Sequence, residues 1–356
     1  MELFDAHIHY ADTQGPARVE AILRENGIAR CCLVCIHQEG LFSTVPDALR
    51  FKAAHPGAVH VLGSLERTAY FLLQNDPAAL SEALVRQGQA LLAAGCDGVK
   101  LLEGKPDIRR AVPIPDFDSE VWAPFWQWAQ ENRVPIVWHV NDPADFWDEA
   151  KINPYARSRG WFYGPEMINN QVQYNQVERV LVRWPHLRIQ FAHMLFFSSD
   201  LPRLADWMRR FPDICVDLTP GIELYYDMAA HIEQTREFFT EFETRIFFGS
   251  DIGSRSCIAS PPAPIDGEES AARVRVIRTF LQTPFGQPYT LHPDGKYLFG
   301  IPPAPLCGLG LSPSALARVC GQNAAGFYGV PAPVDEAAAA RLAAGYEAGV
   351  ARYQAI

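Results

Sequence analysis

From Glu2 onward the chain alternates short apolar runs with longer stretches in which apolar residues recur every three or four positions. The short runs fall at residues 2–7, 30–37, 58–65, 98–102, 135–139, 187–193, 214–218 and 245–248. They are too short for typical helices. The run at 30–37 is apolar on both faces, as expected of a strand in a parallel sheet covered on both sides. The periodic stretches predict helices over 17–26, 45–55, 77–94, 119–132, 166–184, 201–211, 229–242 and 268–281, with Gly27, Pro56-Gly57 and Gly95 closing the first three. Such βαβα alternation is the signature of a parallel sheet, and eight strand–helix pairs predict a (β/α)8 TIM barrel over residues 1–330. Beyond 284 the pattern predicts a Pro/Gly-rich stretch, a helix near 312–320 and an Ala-rich helix at 331–356 that packs on the barrel as a C-terminal extension.

Two connections interrupt the rhythm. Residues 141–165 form a long segment rich in Trp, Asp and Arg, and loops of that length inside a compact domain are commonly lids or binding loops. The Ser/Pro-rich 254–266 reads as a loop rather than a domain linker, because the eighth helix is still needed after it. In the helix at 119–132, Trp122, Phe125 and Trp126 lie at i, i+3, i+4 spacing, an apolar stripe for the barrel wall.

Composition narrows the class without fixing the chemistry. At 356 residues, 48% hydrophobic, the chain suits one large globular core, and no run approaches the roughly 18 apolar residues of a membrane span. The net charge of −10 and the absence of a basic stripe argue against a nucleic-acid partner. Cys31, Cys32 and Cys35 share one apolar run, which suits buried reduced thiols better than a disulfide frame. With no signal-like N-terminus, a cytoplasmic location is the expectation. A homodimer is the default oligomer.

The chemistry of a (β/α)8 barrel sits at the carboxyl ends of its strands. Those ends are polar here: His7 and His9, His37, Glu66 and Arg67, Lys100, His139, His193 and Asp251. His7 and His9 lie two apart, so both side chains face one way and both imidazoles can reach one cation, at the roughly 2.0–2.1 Å that zinc requires. His139, His193 and Asp251 each close an otherwise apolar run. A lone histidine on such a strand is usually a satisfied core residue, but several at successive strand ends point jointly to a metal site.

Taken in order, Asp5-Ala6-His7-Ile8-His9, Gly98-Val99-Lys100-Leu101, His139, Ala192-His193, Phe248-Gly249-Ser250-Asp251 and Gly321-Gln322-Asn323-Ala324-Ala325 resemble the amidohydrolase superfamily. Within it they resemble most the branch of metal-dependent TIM-barrel hydrolases that also contains aminocarboxymuconate-semialdehyde decarboxylase. The resemblance runs from Asp5 to about Gly329. It implies one divalent ion, usually Zn2+, held by His7, His9, His139 and Asp251, with His193 completing the shell or hydrogen-bonding a bound water and substrate.

Such a set leaves a position for water, whose pKa a metal lowers towards 7. Asp251 is then suited to take the water proton, and His193 to polarise a carbonyl or steady an oxyanion. Lys100 has two readings: a carboxylated bridge between two metals, or a cationic substrate or structural group beside one; the resemblance favours the second. Expected substrate contacts are Arg67 as a bidentate carboxylate clamp, Glu103, Trp161 and Glu223. Arg67 and Glu103 have an equally simple structural reading, as an ion-pair member and a loop carboxylate near Lys105. Phe162 and Tyr163 join Trp161 as wall residues, and Arg157 and Arg159 read as solvated.

The expected function is metal-dependent hydrolysis of an ester, lactone or amide carbonyl in a small molecule. Non-oxidative decarboxylation of an aromatic or unsaturated acid is the alternative, and a barrel that binds a metabolite without turnover is the third reading.

Overall fold

The computed structural model describes residues 2–10, 15–37, 41, 43–221, 223–253, 267–290 and 305–355. Its centre is a parallel sheet of nine strands: β1 (Leu3–His9), β2 (Ile28–Val34), β3 (Val59–Ser64), β4 (Gly98–Gly104), β5 (Ile136–Val140), β6 (Ile189–Phe191), β7 (Ile214–Asp217), β8 (Ile246–Phe247) and β9 (Ile252–Gly253). Each of β1 to β8 pairs with its successor except β8, which is followed by a break and then by β9, paired to β1. Ala6 N donates to Phe248 O at 2.8 Å and Asp251 N to His7 O at 2.8 Å, so the β8–β9 segment closes the ring against β1. The barrel expected from the alternation is therefore present.

Residues of six strands meet inside it. Phe4, Ala6, Cys32, Val34, Leu62, Val137, Cys215 and Phe247 form one buried cluster, floored by Ala324 and Tyr328 from beyond the barrel. A far larger cluster fills the layer between strands and helices. Trp122, Phe125 and Trp126 lie in it as expected: Trp126 stacks on Trp122 with centroids 5.3 Å apart, and its Nε1 donates to Phe117 O at 2.8 Å. The cysteines Cys31, Cys32, Cys35, Cys96, Cys215 and Cys320 are buried free thiols.

Helix starts follow local chemistry. Asp76 accepts from Ala79 N ahead of Pro77, Ser312 from Ala315 N ahead of Pro313, and Asp335 from Ala338 N. Each cap satisfies an N–H that the first turn leaves free, and proline just inside costs no hydrogen bond there.

Several boundaries differ from the periodicity. The helix expected at 229–242 is two, Leu224–Ala230 and Ile232–Glu241, joined at His231, whose backbone is not helical. The helix expected at 119–132 spans Ala123–Glu131 and that at 166–184 spans Asn170–Arg183, because polar turns precede both. The sixth strand ends at Phe191, where a left-handed turn begins, and the second at Val34. The helix near 312–320 continues as Pro313–Ala317, a π turn at Arg318–Gln322 and Asn323–Tyr328. Segment 141–165 contains short helices, Ala144–Trp147 and Pro154–Ser158. The loop expected at 254–266 lies outside the described residues.

The final helix, Glu336–Gln354, reaches the mouth end of β3: Tyr346 OH donates to Ser64 O at 3.0 Å. No helix among the described residues is long and apolar enough to cross a membrane.

Replacing Trp126 by Ala should lower stability by about 3–5 kcal/mol, the usual result of emptying an aromatic site in a core. A urea titration followed by circular dichroism checks this, and a midpoint unchanged from wild type would contradict the packing described.

Candidate metal centre and cavity

The geometry at the mouth begins with a bulge. Register along β1 slips between Asp5 and Ile8 against β2. Phe4 and Ala6 join the interior cluster, while Ile8 joins the helix layer, so the slip lets His7 and His9 also turn inward. Asp5 stitches the bulge: its Oδ1 accepts from His7 N at 3.1 Å and Ser250 N at 3.0 Å. Burial pushes the Asp5 carboxyl up to about 7.

His7, His9 and Asp251 converge, each offering one ligand atom within 4.8 Å of the others. Asp251 Oδ1 lies 2.8 Å from His9 Nε2 and 3.7 Å from His7 Nε2. A tetrahedral zinc shell has edges of roughly 3.3 Å, given bonds of about 2.05 Å, and these spacings straddle that value. His7 Nδ1 donates to Asp217 Oδ2 at 2.9 Å, leaving the Nε2 lone pair as a ligand. Burial, aided by the Lys100 charge, lowers the His7 pKa to about 4, so the imidazole is neutral at pH 7, the state a metal needs. His9 Nδ1 is buried without a hydrogen-bond partner among the described residues. These residues fit a divalent ion.

Asp217 organises the rest. Its Oδ2 accepts from His7 Nδ1 and from Gln190 Nε2 at 2.6 Å; its Oδ1 accepts from His193 N at 2.9 Å and Thr219 N at 3.2 Å. Burial alone would raise this carboxyl, but His7 and the other hydrogen-bond donors hold it well below the usual range. It ends the apolar run Ile214-Cys215-Val216 just as the histidines end theirs, the one signal by which sequence marks it as a site residue.

His193 opens a left-handed turn, with φ of 54°, 49°, 57° and 54° at His193, Met194, Leu195 and Phe196. Its Nδ1 lies 3.2 Å from Thr219 O, which requires the proton on Nδ1 and makes Nε2 an acceptor. Burial, with His139 beside it, takes its pKa to about 3. A neutral His193 in that tautomer is better suited to bind a metal or take a water proton than to donate to an oxyanion. The His139 and His193 rings stand 5.0 Å apart, and His139 Nε2 lies 3.4 Å from Asp142 Oδ1. Lys100 Nζ lies 3.5 Å from His7 Nε2, and burial lowers its pKa to about 8.

A cavity of about 200 Å³ opens over these groups. His9, His139, His193 and Asp251 form its polar side, Phe146, Trp161 and Phe196 its aromatic wall, and Lys105 and Arg273 bring cationic groups. Arg273 Nη1 lies 3.6 Å from Asp251 Oδ2. It comes from the helix Gly267–Gln282, where nothing local distinguishes it from a surface arginine. Trp161 lines this cavity.

Arg67 and Glu103 do not line this cavity. Leu102 lines it, while Glu103, in a stretch where β4 slips register against β5, is buried away from it near Arg67. Burial raises the Glu103 carboxyl, with the Arg67 charge opposing. Glu223, two residues past the lining residue Gly221, is not among the lining residues either. Both its oxygens are buried without a hydrogen-bond partner among the described residues, and burial pushes its pKa up to about 8. His37 is buried, and Arg157 contacts Glu149 on the surface.

A parallel barrel of strands β1 to β9 with histidines and an aspartate at its mouth defines a class of enzyme scaffold. The amidohydrolase family model matches residues 4–330, and the chain belongs to that family, in its amidohydrolase-2 branch. Among solved structures it is similar to an uncharacterised TIM-barrel protein from Bordetella bronchiseptica (16% identity, 96% of this chain and 100% of that one, TM-score 0.57). It is also similar to 5-carboxyvanillate decarboxylase from Sphingomonas paucimobilis (14%, 92% and 99%, 0.53). A third is a probable 2-pyrone-4,6-dicarboxylic acid hydrolase from Acinetobacter baumannii (13%, 92% and 100%, 0.50). Likeness at this identity establishes the fold. No curated protein matches the chain.

Asp217→Asn keeps the shape but removes the charge that holds the His7 tautomer. Zn2+ affinity should fall roughly 10–100-fold, as for other partners of metal-bound histidines; competition with a chromophoric chelator measures it, and an unchanged affinity would separate Asp217 from the centre.

Proposed function

We propose that the protein is a metal-dependent hydrolase that attacks the ester, lactone or amide carbonyl of a small molecule. One divalent ion of the zinc kind is held by His7, His9, His139 and Asp251, with His193 as a further ligand or as a partner of water. The observation that carries this reading is the convergence of His7, His9 and Asp251 beneath the cavity, with His7 fixed in its ligand tautomer by Asp217. When bound, such an ion supplies a Lewis acid and brings water towards ionisation near neutral pH.

The chain's own groups do the rest. Asp251 is held ionised despite its burial by His9, His7 and Arg273, and His193 Nε2 is an acceptor; these two are placed to take a proton from water and return it to a leaving group. Lys100 adds positive charge beside the centre. Trp161, Phe146 and Phe196 exclude water from one side of the substrate.

Decarboxylation of an aromatic or unsaturated acid is the second reading. Lys105 and Arg273 favour it, because they set cationic groups beside an aromatic wall, as a small carboxylate requires. A barrel without turnover is the third.

Metal content on protein purified without added metal or chelator tests the centre. About one zinc-class ion per chain, lost in His7→Ala, is expected of a mononuclear site. About two would make Lys100 a carboxylated bridge. No ion in wild type, and none taken up on titration, would sink the mechanism. Product masses then separate the readings: water added to an ester, lactone or amide supports hydrolysis, and CO2 release supports decarboxylation. Metabolite binding that survives in His139→Ala without any part for metal would leave only the third.

A further inference from the structure

Asp142 has three partners on three different segments. Its Oδ1 lies 3.4 Å from Nε2 of His139, on β5. Its Oδ2 takes Lys105 Nζ at 2.5 Å, from just past β4, and Tyr163 OH at 2.5 Å, from the far end of the 141–165 segment. Phe146, Ile152, Ala156 and Tyr163 of that segment, with Met167 just beyond it, form a small core separate from the barrel cores. Tyr163 N donates to Phe146 O at 2.8 Å, and the Tyr163 and Trp147 rings stand 4.7 Å apart. The segment carries the cavity wall residues Phe146 and Trp161. Lys105 Nζ lies 5.0 Å over the Trp161 ring, so the Lys105 contact with Asp142 also touches the wall.

The base of Asp142 is rigid. Asn141 N donates to Gly104 O at 2.8 Å, and Gln173 Nε2 donates to Asn141 Oδ1 at 2.8 Å. A Cβ on Gly104 would meet His139 O at 2.2 Å, so only glycine lets β4 approach β5 this closely. Asp142 is fixed where both the imidazole and the wall can reach it.

We propose that Asp142 is a positioning residue that couples the His139 imidazole to the closed state of the 141–165 segment. The Asp142 carboxylate beside Nε2, at 3.4 Å and without a formed hydrogen bond, favours the tautomer protonated on that nitrogen, which leaves the other as a lone pair, the form a divalent ion takes. The same carboxylate holds the wall shut through Tyr163 and Lys105. Holding the imidazole in its ligand form and closing the wall then favour each other, and the coupling acts equally in both directions. The inference rests on His139 being a ligand in the proposed centre.

The test uses Zn2+ alone as probe, with affinity from chelator competition and hydrogen exchange read over residues 144–163. In wild type, Zn2+ should slow exchange there. Tyr163→Phe keeps the ring, touches no proposed ligand, and should both speed exchange and weaken Zn2+ roughly 5–10-fold, at the lower end of measured couplings between sites. Asp142→Asn should weaken Zn2+ roughly 10–100-fold and abolish the effect of Zn2+ on exchange. If Tyr163→Phe leaves Zn2+ affinity within about twofold of wild type, whatever exchange does, coupling is absent. Zn2+ that binds wild type without slowing exchange overturns the coupling and leaves the centre standing. Zn2+ that does not bind wild type overturns the centre, and the coupling with it.

Discussion

A single buried carboxylate, Asp217, sets the geometry on which the mouth of this barrel depends. Ionising a carboxyl away from water costs several kcal/mol unless its lone pairs are used. Here four donors use them: two backbone N–H groups, one amide and one imidazole. Each donor is fixed by the bond in turn. His7 is held in one tautomer, the turn after β6 is pinned at its first residue, and Thr219 starts the β7 loop at a set angle. Gln190 passes the constraint downward, since its Oε1 accepts from Tyr328 OH at the barrel floor. A network this complete has no cheap partial form: removing one member leaves a buried charge or a buried N–H without its partner.

That network also accounts for backbone strain at the site. Four successive non-glycine residues from His193 to Phe196 are left-handed, as is Asp251 with φ 59°. Such conformations cost roughly 1–2 kcal/mol per residue. Local bonds offset this: His193 N donates to Asp217, Tyr174 OH donates to Leu195 O at 2.9 Å, and Asp251 N donates to His7 O. The strain falls just past β6 and immediately before β9, at the two proposed ligands His193 and Asp251. It belongs with the site and not with the barrel scaffold.

The barrel was legible because strands covered on both faces leave a mark no surface element leaves, and because the alternation continued for the whole length. His7, His9 and Asp251 were legible because a polar residue closing an apolar strand is conspicuous. The rest depended on facts that one segment does not carry. Arg273 reaches the cavity from a helix whose own pattern gives no reason for it. Asp217 carried the same mark as the histidines, but its partners come from β1, β6 and β7. The bulge at Ala6 and His7 was hidden because a strict two-residue period already put His7 and His9 together, and the slip changes which neighbours join them. Glu103 lies away from the cavity in a stretch where β4 slips register against β5, a departure from the two-residue period that the sequence does not show.

The two sides of the cavity are built to different tolerances. His7, His9, His139 and Asp251 sit on or beside strands whose backbone is paired on both sides, so their positions vary little without breaking sheet bonds. The aromatic wall sits on a segment with a small core of its own, joined to the barrel through a few polar contacts such as those of Asp142. A rigid centre preserves the capacity to polarise a carbonyl or a carboxylate, while substitutions in the wall change which molecule is presented to it. On the proposed reading, the strand ends supply the class of chemistry, and Lys105, Arg273 and Trp161 around them would bear on whether an ester or lactone or a carboxylated ring is presented to it.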